Sequence, residues 1–250
     1  ELVLILAMYT TLNYSPNFDL KKRKVIDIKF IIFHYTGMKN EKEAIKKLTD
    51  PYSKVSCHYL IKKNGEILTL VPDLYIAWHA GISCWGKYKS LNINSLGIEI
   101  SNPGHNFKYK KFSKKQIFAI IKLSRFLIKK YKIKINCFLG HSDIAPNRKI
   151  DPGEKFPWKY LSKKKIGYWH NLDIKKLLKL RSIDTNNLEK IKFIKNLHKI
   201  GYTKSIKISK KKSFKVLTST FQRRYRQELI NGIIDQECLS ISENLLKQLK

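Results

Sequence analysis

Phe30-Ile31-Ile32-Phe33-His34-Tyr35-Thr36 sets the architecture of this chain. Four consecutive apolar residues, all aromatic or β-branched, read as a strand buried on both faces, in a run too short for a buried helix. The residues just upstream alternate, so the strand is read over 26–34. The histidine that closes it stands at a strand end, where a sheet can hold a side chain rigidly. A second apolar run, Cys137-Phe138-Leu139-Gly140, ends the same way on His141. Ten positions on, Asp151 stands in Lys149-Ile150-Asp151-Pro152-Gly153. Two imidazoles and one carboxylate leave a fourth tetrahedral position open, the donor set of a hydrolytic rather than a structural zinc site. The competing reading makes Asp151 a turn residue ahead of Pro152-Gly153. A lone histidine is also more often structural than a ligand, so position alone leaves the triad open.

Working outward, residues 41–49 have helical spacing with Ala44, Ile45 and Leu48 on one face. Residues 57–61 read as a strand. Asn64-Gly65 suits a type I′ hairpin turn, residues 66–71 form the return strand, and 96–101 form another. Ser113 with Gln116 three residues on is a capping box. The stripe Ile117, Ile120, Ile121, Leu123, Leu127, Ile128 then predicts a helix to about Tyr131, and 135–139 a further strand. Strands interleaved with helices predict an α/β domain, a mixed central β-sheet flanked by helices. Residues 181–187 are polar and read as a linker. Helical patterns over 187–200, 212–229 and 236–249 predict a small C-terminal three-helix domain. The expected organisation is therefore an N-terminal segment over 1–24, an α/β domain over 25–180, a linker over 181–187 and a helical domain over 188–250.

The net charge of +32, from 51 Lys+Arg against 19 Asp+Glu, raises a nucleic-acid or anionic-surface binder. The alternative is a coding bias, since Lys, Ile and Asn crowd the whole chain. The lysines are spread out, and no RNP-like, KH-like or zinc-finger pattern accompanies them, so no specific nucleic-acid partner is expected. The cysteines at 57, 84, 137 and 238 contain no C-x-x-C pair. Free thiols are the default, with one disulfide left open. Residues 2–8 are apolar but too short to span a bilayer. They fit the core of an export signal without its basic lead-in or cleavage site, so export is left open and no transmembrane span is expected. Nothing suggests a coiled coil or a large apolar patch, and a monomer is expected.

Seven segments then occur in order: His34-Tyr35-Thr36; Ser56-Cys57-His58-Tyr59-Leu60; Ala77-Trp78-His79-Ala80-Gly81; Gly97-Ile98-Glu99; Gly140-His141-Ser142-Asp143-Ile144-Ala145-Pro146; Arg148-Lys149-Ile150-Asp151-Pro152-Gly153; and Phe156-Pro157-Trp158. This series resembles the type 2 N-acetylmuramoyl-L-alanine amidases, in their AmiD/AmpD-like branch, over residues 25–180. Phe221-Gln222 followed by Asn231-Gly232-Ile233-Ile234-Asp235 is similar, more loosely, to the peptidoglycan-binding-like module of that branch. The resemblance implies a type 2 amidase or peptidoglycan-recognition fold. It also implies Zn2+ on His34, His141 and Asp151, a catalytic carboxylate at Glu99 and a catalytic lysine at Lys149. His58, Trp78, His79 and Ala80 would line the substrate groove, although Trp78, like Trp85, could equally be a core aromatic. One departure is Cys57, where some relatives carry a tyrosine that assists catalysis; its absence throws the base function onto Glu99. The implied reaction cleaves the amide between N-acetylmuramic acid, or its anhydro form, and L-alanine in peptidoglycan or muropeptides. The wall-directed module favours a periplasmic or secreted enzyme, with a cytoplasmic recycling role as the other compartment. The rival reading is a non-catalytic peptidoglycan recognition protein.

Overall fold

Asn40 and Ser113 start the two helices that cover the sheet. Asn40 accepts a hydrogen bond from the Glu43 amide. Ser113 and Gln116 exchange both bonds of the capping box, which satisfies amides that the first helical turn leaves without partners. The computed structural model describes residues 10–203 and 210–249, so the apolar stretch 2–8 lies outside the described residues. In chain order the elements are β1 (Thr11–Leu12), β2 (Phe18–Asp19), β3 (Phe30–Tyr35), α1 (Glu41–Thr49), β4 (Tyr59–Ile61), β5 (Ile67–Thr69), β6 (Ile76–Ala77), β7 (Cys84–Trp85), β8 (Tyr88–Lys89) and β9 (Ser95–Ile100). They continue with α2 (Lys114–Tyr131), β10 (Phe138–Gly140), α3 (His141–Ile144), α4 (Trp158–Lys163), α5 (Ile174–Leu180), α6 (Asn187–Ile200), α7 (Lys210–Tyr225) and α8 (Gln236–Lys247).

The described residues form two compact units, one from residues 10–79 and 92–138, the other from 80–91, 139–203 and 210–249. The first is built on the sheet, whose strand order is β1-β5-β4-β9-β3-β10; the chain passes from the first unit to the second within β10. β9 runs parallel to both β3 and β4, and β4 runs antiparallel to β5, so the sheet is mixed and flanked by helices, as expected. Ile31, Ile32 and Phe33 are fully buried, as the unbroken apolar run requires. Leu48 of α1 packs with Leu60, Leu68 and Leu70 from the β4–β5 hairpin. α2 packs against β4, and its Gln116 side-chain amide donates to the Ser101 carbonyl at 2.7 Å.

Three local expectations are corrected. β3 begins at Phe30 because Val25–Asp27 forms a 3-10 turn, with the Asp27 carboxylate accepting from the Lys24 amide. Residues 135–137 likewise form a 3-10 turn, with Ile135 turned to solvent, so that strand begins only at Phe138. The β4–β5 turn is not type I′. Gly65 donates to the Lys62 carbonyl and has φ of 87°, while Asn64 is not left-handed. This is the longer hairpin loop in which a glycine follows a type I turn. Asn64 spends its side chain on the Glu66 amide, and a Cβ on Gly65 would lie 2.9 Å from the Lys115 carbonyl.

In the second unit, α6 and α8 pack together, as do α5 and α8. Residues 181–187 are held by several bonds: Arg181 pairs with Glu237 at 2.6 Å, the Thr185 hydroxyl donates to the Ile234 carbonyl, and Asp184 bridges to Asp235. α7 ends at Tyr225 rather than 229, and the next residue, the fully buried Arg226, pairs with Asp235 and Glu237. All four cysteines are free. No described helix is long and apolar enough to cross a membrane.

Candidate active site

In the first unit, the β3–β9 register sets His34 beside Glu99, and the β4–β9 register sets Leu60 on the other side of Glu99. His34 is buried, and its Nε2 lies 3.1 Å from His79 Nδ1, whose Nε2 in turn lies 3.3 Å from the Ser95 hydroxyl. Two proton orders satisfy this chain. One order has His34 Nε2 donating to His79 and His79 Nε2 donating to Ser95, which leaves His34 Nδ1 unprotonated and able to donate an electron pair. A metal-ligating histidine commonly gives its second N–H to such a partner, which fixes its tautomer and ring angle. Gly97 makes room for this. A Cβ there would lie 2.4–2.6 Å from the His79 ring. Gly97→Ala therefore displaces His79. The expected cost is about 1–3 kcal/mol, and in a chain of this size each kcal/mol lowers Tm by roughly 2–4 °C. A thermal melt within 1 °C (about 0.3 kcal/mol) of the parent would refute that packing argument.

His58 sits deeper. The Gly97 amide donates to its Nδ1 at 3.0 Å, and its Nε2 lies 2.9 Å from Arg23 Nη2 and 3.1 Å from the Tyr75 carbonyl. Burial, and then the charge of Arg23 beside it, lower its pKa to about 3. Arg23, which the sequence did not single out, donates to the carbonyls of Asp73, Asn92, Ile93 and Ser95. The sign of the linkage follows. Folded His58 stays neutral, whereas the unfolded chain takes up its proton near 6.5, so this stabilisation is complete above about pH 6.5 and drains away as pH falls toward 3. Tm is expected to decline over that window and to decline less steeply in His58→Gln; equal slopes would exclude the assignment.

In the second unit, His141 opens α3 directly after β10. Its Nδ1 lies 3.1 Å from Asp151 Oδ2, and its Nε2 lies 3.1 Å from the Ala80 carbonyl. The Ser142 amide donates to the Asp151 carbonyl at 2.8 Å, which ties the two ligand-type residues together through the backbone. Two donors at about 2.0–2.2 Å from a tetrahedral ion lie roughly 3.3 Å apart, so the His141–Asp151 pair fits zinc, with the second imidazole N–H given to Ala80. Arg148, another residue the sequence reading passed over, donates to the carbonyls of Ala80 and Ile82, at 2.8 Å each. Lys149 is half-buried, and its amide closes a turn onto Ala145 rather than lying in an extended segment. Among the described residues, His141 and Asp151 are a buried pair of metal-ligand type in the second unit, and His34 is a buried residue of that type in the first.

The residues expected to line the groove are mostly buried. His58, His79 and Ala80 are 0, 7 and 0 % exposed. Their polar atoms face protein: both ring nitrogens of each histidine are engaged, and the Ala80 carbonyl serves His141 and Arg148. Burial of this kind depends on partners distant in sequence and left no local mark. Trp78 remains half exposed, with its indole N–H on Asp19 at 2.7 Å. Cys57 is wholly buried. Burial first, and then the Glu99 charge, hold its thiol well above the usual range.

A family model described as N-acetylmuramoyl-L-alanine amidase matches residues 24–154, which contain His34, Glu99, His141, Lys149 and Asp151. The chain belongs to this amidase family. It is 34 % identical over 233 residues to the N-acetylmuramoyl-L-alanine amidase AmiD of Escherichia coli (strain K12), covering 88 % of this chain and 83 % of AmiD. Among solved structures it resembles E. coli AmiD in complex with the substrate anhydro-N-acetylmuramic acid-L-Ala-D-γ-Glu-L-Lys. That match has a TM-score of 0.79 and 32 % identity over 92 % of this chain and 93 % of that one. It also resembles AmpDh3 from Pseudomonas aeruginosa in complex with anhydromuramic pentapeptide, with a TM-score of 0.77 and 27 % identity over 100 % and 99 % of the two chains.

Proposed function

We propose that this chain is a zinc-dependent amidase that hydrolyses the bond between N-acetylmuramic acid, or its anhydro form, and L-alanine in peptidoglycan or its fragments. The observation that carries the reading is the His141–Asp151 pair, spaced for a shared ion with the second imidazole nitrogen on a backbone carbonyl. Membership of the amidase family and likeness to two relatives solved with anhydromuramic peptides support it.

His34, His141 and Asp151 would hold the metal, which supplies an acidified water and a Lewis acid for the scissile carbonyl. Glu99 accepts a proton from the attacking water and returns it to the departing amine of L-alanine, so one C–O bond forms as the C–N bond breaks. Lys149, a compact positive charge, stabilises the oxyanion developing on the carbonyl oxygen. The half-exposed Trp78 offers an aromatic surface for the glycopeptide. The C-terminal helices would help hold the protein on the wall, which favours action in the periplasm or outside the cell.

The test is mass spectrometry of peptidoglycan and of anhydromuropeptides incubated with the protein, with and without a zinc chelator. Stem peptides with a free L-alanine amine, lost with chelator and regained with zinc, are the expected outcome. Retention on the wall without release in either condition would replace this reading with that of a non-catalytic recognition protein.

A further inference from the structure

α3 is a single turn of four residues, too short to be stable by itself. His141 is its first residue, so whatever anchors this turn also sets the angle of that imidazole. The anchor is Asp143, 1 % exposed. One of its carboxylate oxygens accepts the Gly140 amide at 2.8 Å and is paired with the Arg224 guanidinium. The other accepts the Tyr202 hydroxyl at 2.8 Å. These partners come from 59 and 81 residues further along the chain, beyond the stretch that matches the family model.

Both partners are themselves fixed. Arg224, in α7, lies over the Trp158 ring at 4.1 Å. Tyr202, just after α6, meets Trp85 edge to face at 4.8 Å. Burial, and then the charge of Asp143, hold its phenol well above its usual range, so it remains a donor.

We infer that Tyr202 and Arg224 are positioning residues for the ligand His141, acting through Asp143. The C-terminal helices are then part of the amidase centre and not only an accessory to it. This rests on the zinc reading above. A buried carboxylate that loses one charge-assisted donor no longer holds a single orientation. Loss of an outer partner of this kind typically weakens metal binding by about 10–100-fold.

The experiment uses the full chain and the metal alone. Zinc dissociation constants are measured by chelator competition, and the visible spectrum of the cobalt-loaded protein is recorded, for the parent, Tyr202→Phe and Arg224→Lys. Tyr202→Phe keeps the ring on Trp85 and removes one hydrogen bond. Arg226→Lys and Arg181→Lys are the controls, because those arginines serve Asp235 and Glu237 instead. Tm is recorded for every protein. Tyr202→Phe and Arg224→Lys are expected to raise the zinc dissociation constant about 10–100-fold and to shift the cobalt bands. The controls should lower Tm while leaving both metal readouts within about threefold of the parent. Parent-like zinc binding in Tyr202→Phe and Arg224→Lys, or equal weakening in the controls, overturns the inference. A parent that binds no zinc overturns the metal reading and the inference with it.

Discussion

His141→Ala protein is expected to purify without stoichiometric zinc and to release stem peptide at least about 10⁴-fold more slowly than the parent. The size of the effect comes from the acidity the metal lends to water, whose pKa drops to about 7 in such a site. It also reflects the pairing of His141 Nδ1 with Asp151 Oδ2, since removing the imidazole leaves the carboxylate buried without its neighbour. Metal analysis and product chromatography on the same preparation check it, with His105→Ala, at an exposed histidine, as the comparison. A zinc-replete, active His141→Ala protein would remove His141 from the site.

Glu99→Gln is expected to keep zinc and KM while kcat falls by about 10²–10⁴, the usual contribution of a positioned general base. The substitution preserves shape and removes the proton acceptor. Cys57, in the position where some relatives carry a tyrosine, is wholly buried and held as a neutral thiol. The acid limb of the kcat/KM profile, which reports ionisation of the base, should vanish in the variant. Activity within tenfold of the parent with that limb intact would assign the proton to another group.

What was legible in the sequence is what local chemistry determines. α1 and α2 occupy the residues their apolar stripes and capping residues indicated, because caps and stripes act within a few residues. The type 2 amidase fold and the amidase family were legible from the seven ordered segments. Less legible was anything set by a distant partner. Ile26 reads as strand but is exposed in a 3-10 turn. The two-residue strands β6, β7 and β8 carry no periodicity long enough to read. His58, His79 and Ala80 belong to recognisable segments, yet their burial comes from Arg23, Ser95 and Arg148, none of which is marked by spacing. Asp143 was legible only as a letter in a segment; its partners at 202 and 224 give no local signal.

The excursion of residues 80–91 has a consequence for synthesis on the ribosome. Trp85 rests on Tyr202, and the Gly86 amide donates to the Gly201 carbonyl at 2.7 Å. A Cβ on Gly201 would intrude to 2.3 Å from the Trp85 indole. A growing chain makes this segment early and its partners more than a hundred residues later. At about 5–20 residues per second, Trp85 waits several seconds or longer before its contacts exist. Five of the six strands of the sheet are complete by Ile100 and need no such wait. A nascent chain stalled before residue 200 therefore carries an unsatisfied indole and an open loop, which is the surface a chaperone or a protease would meet first.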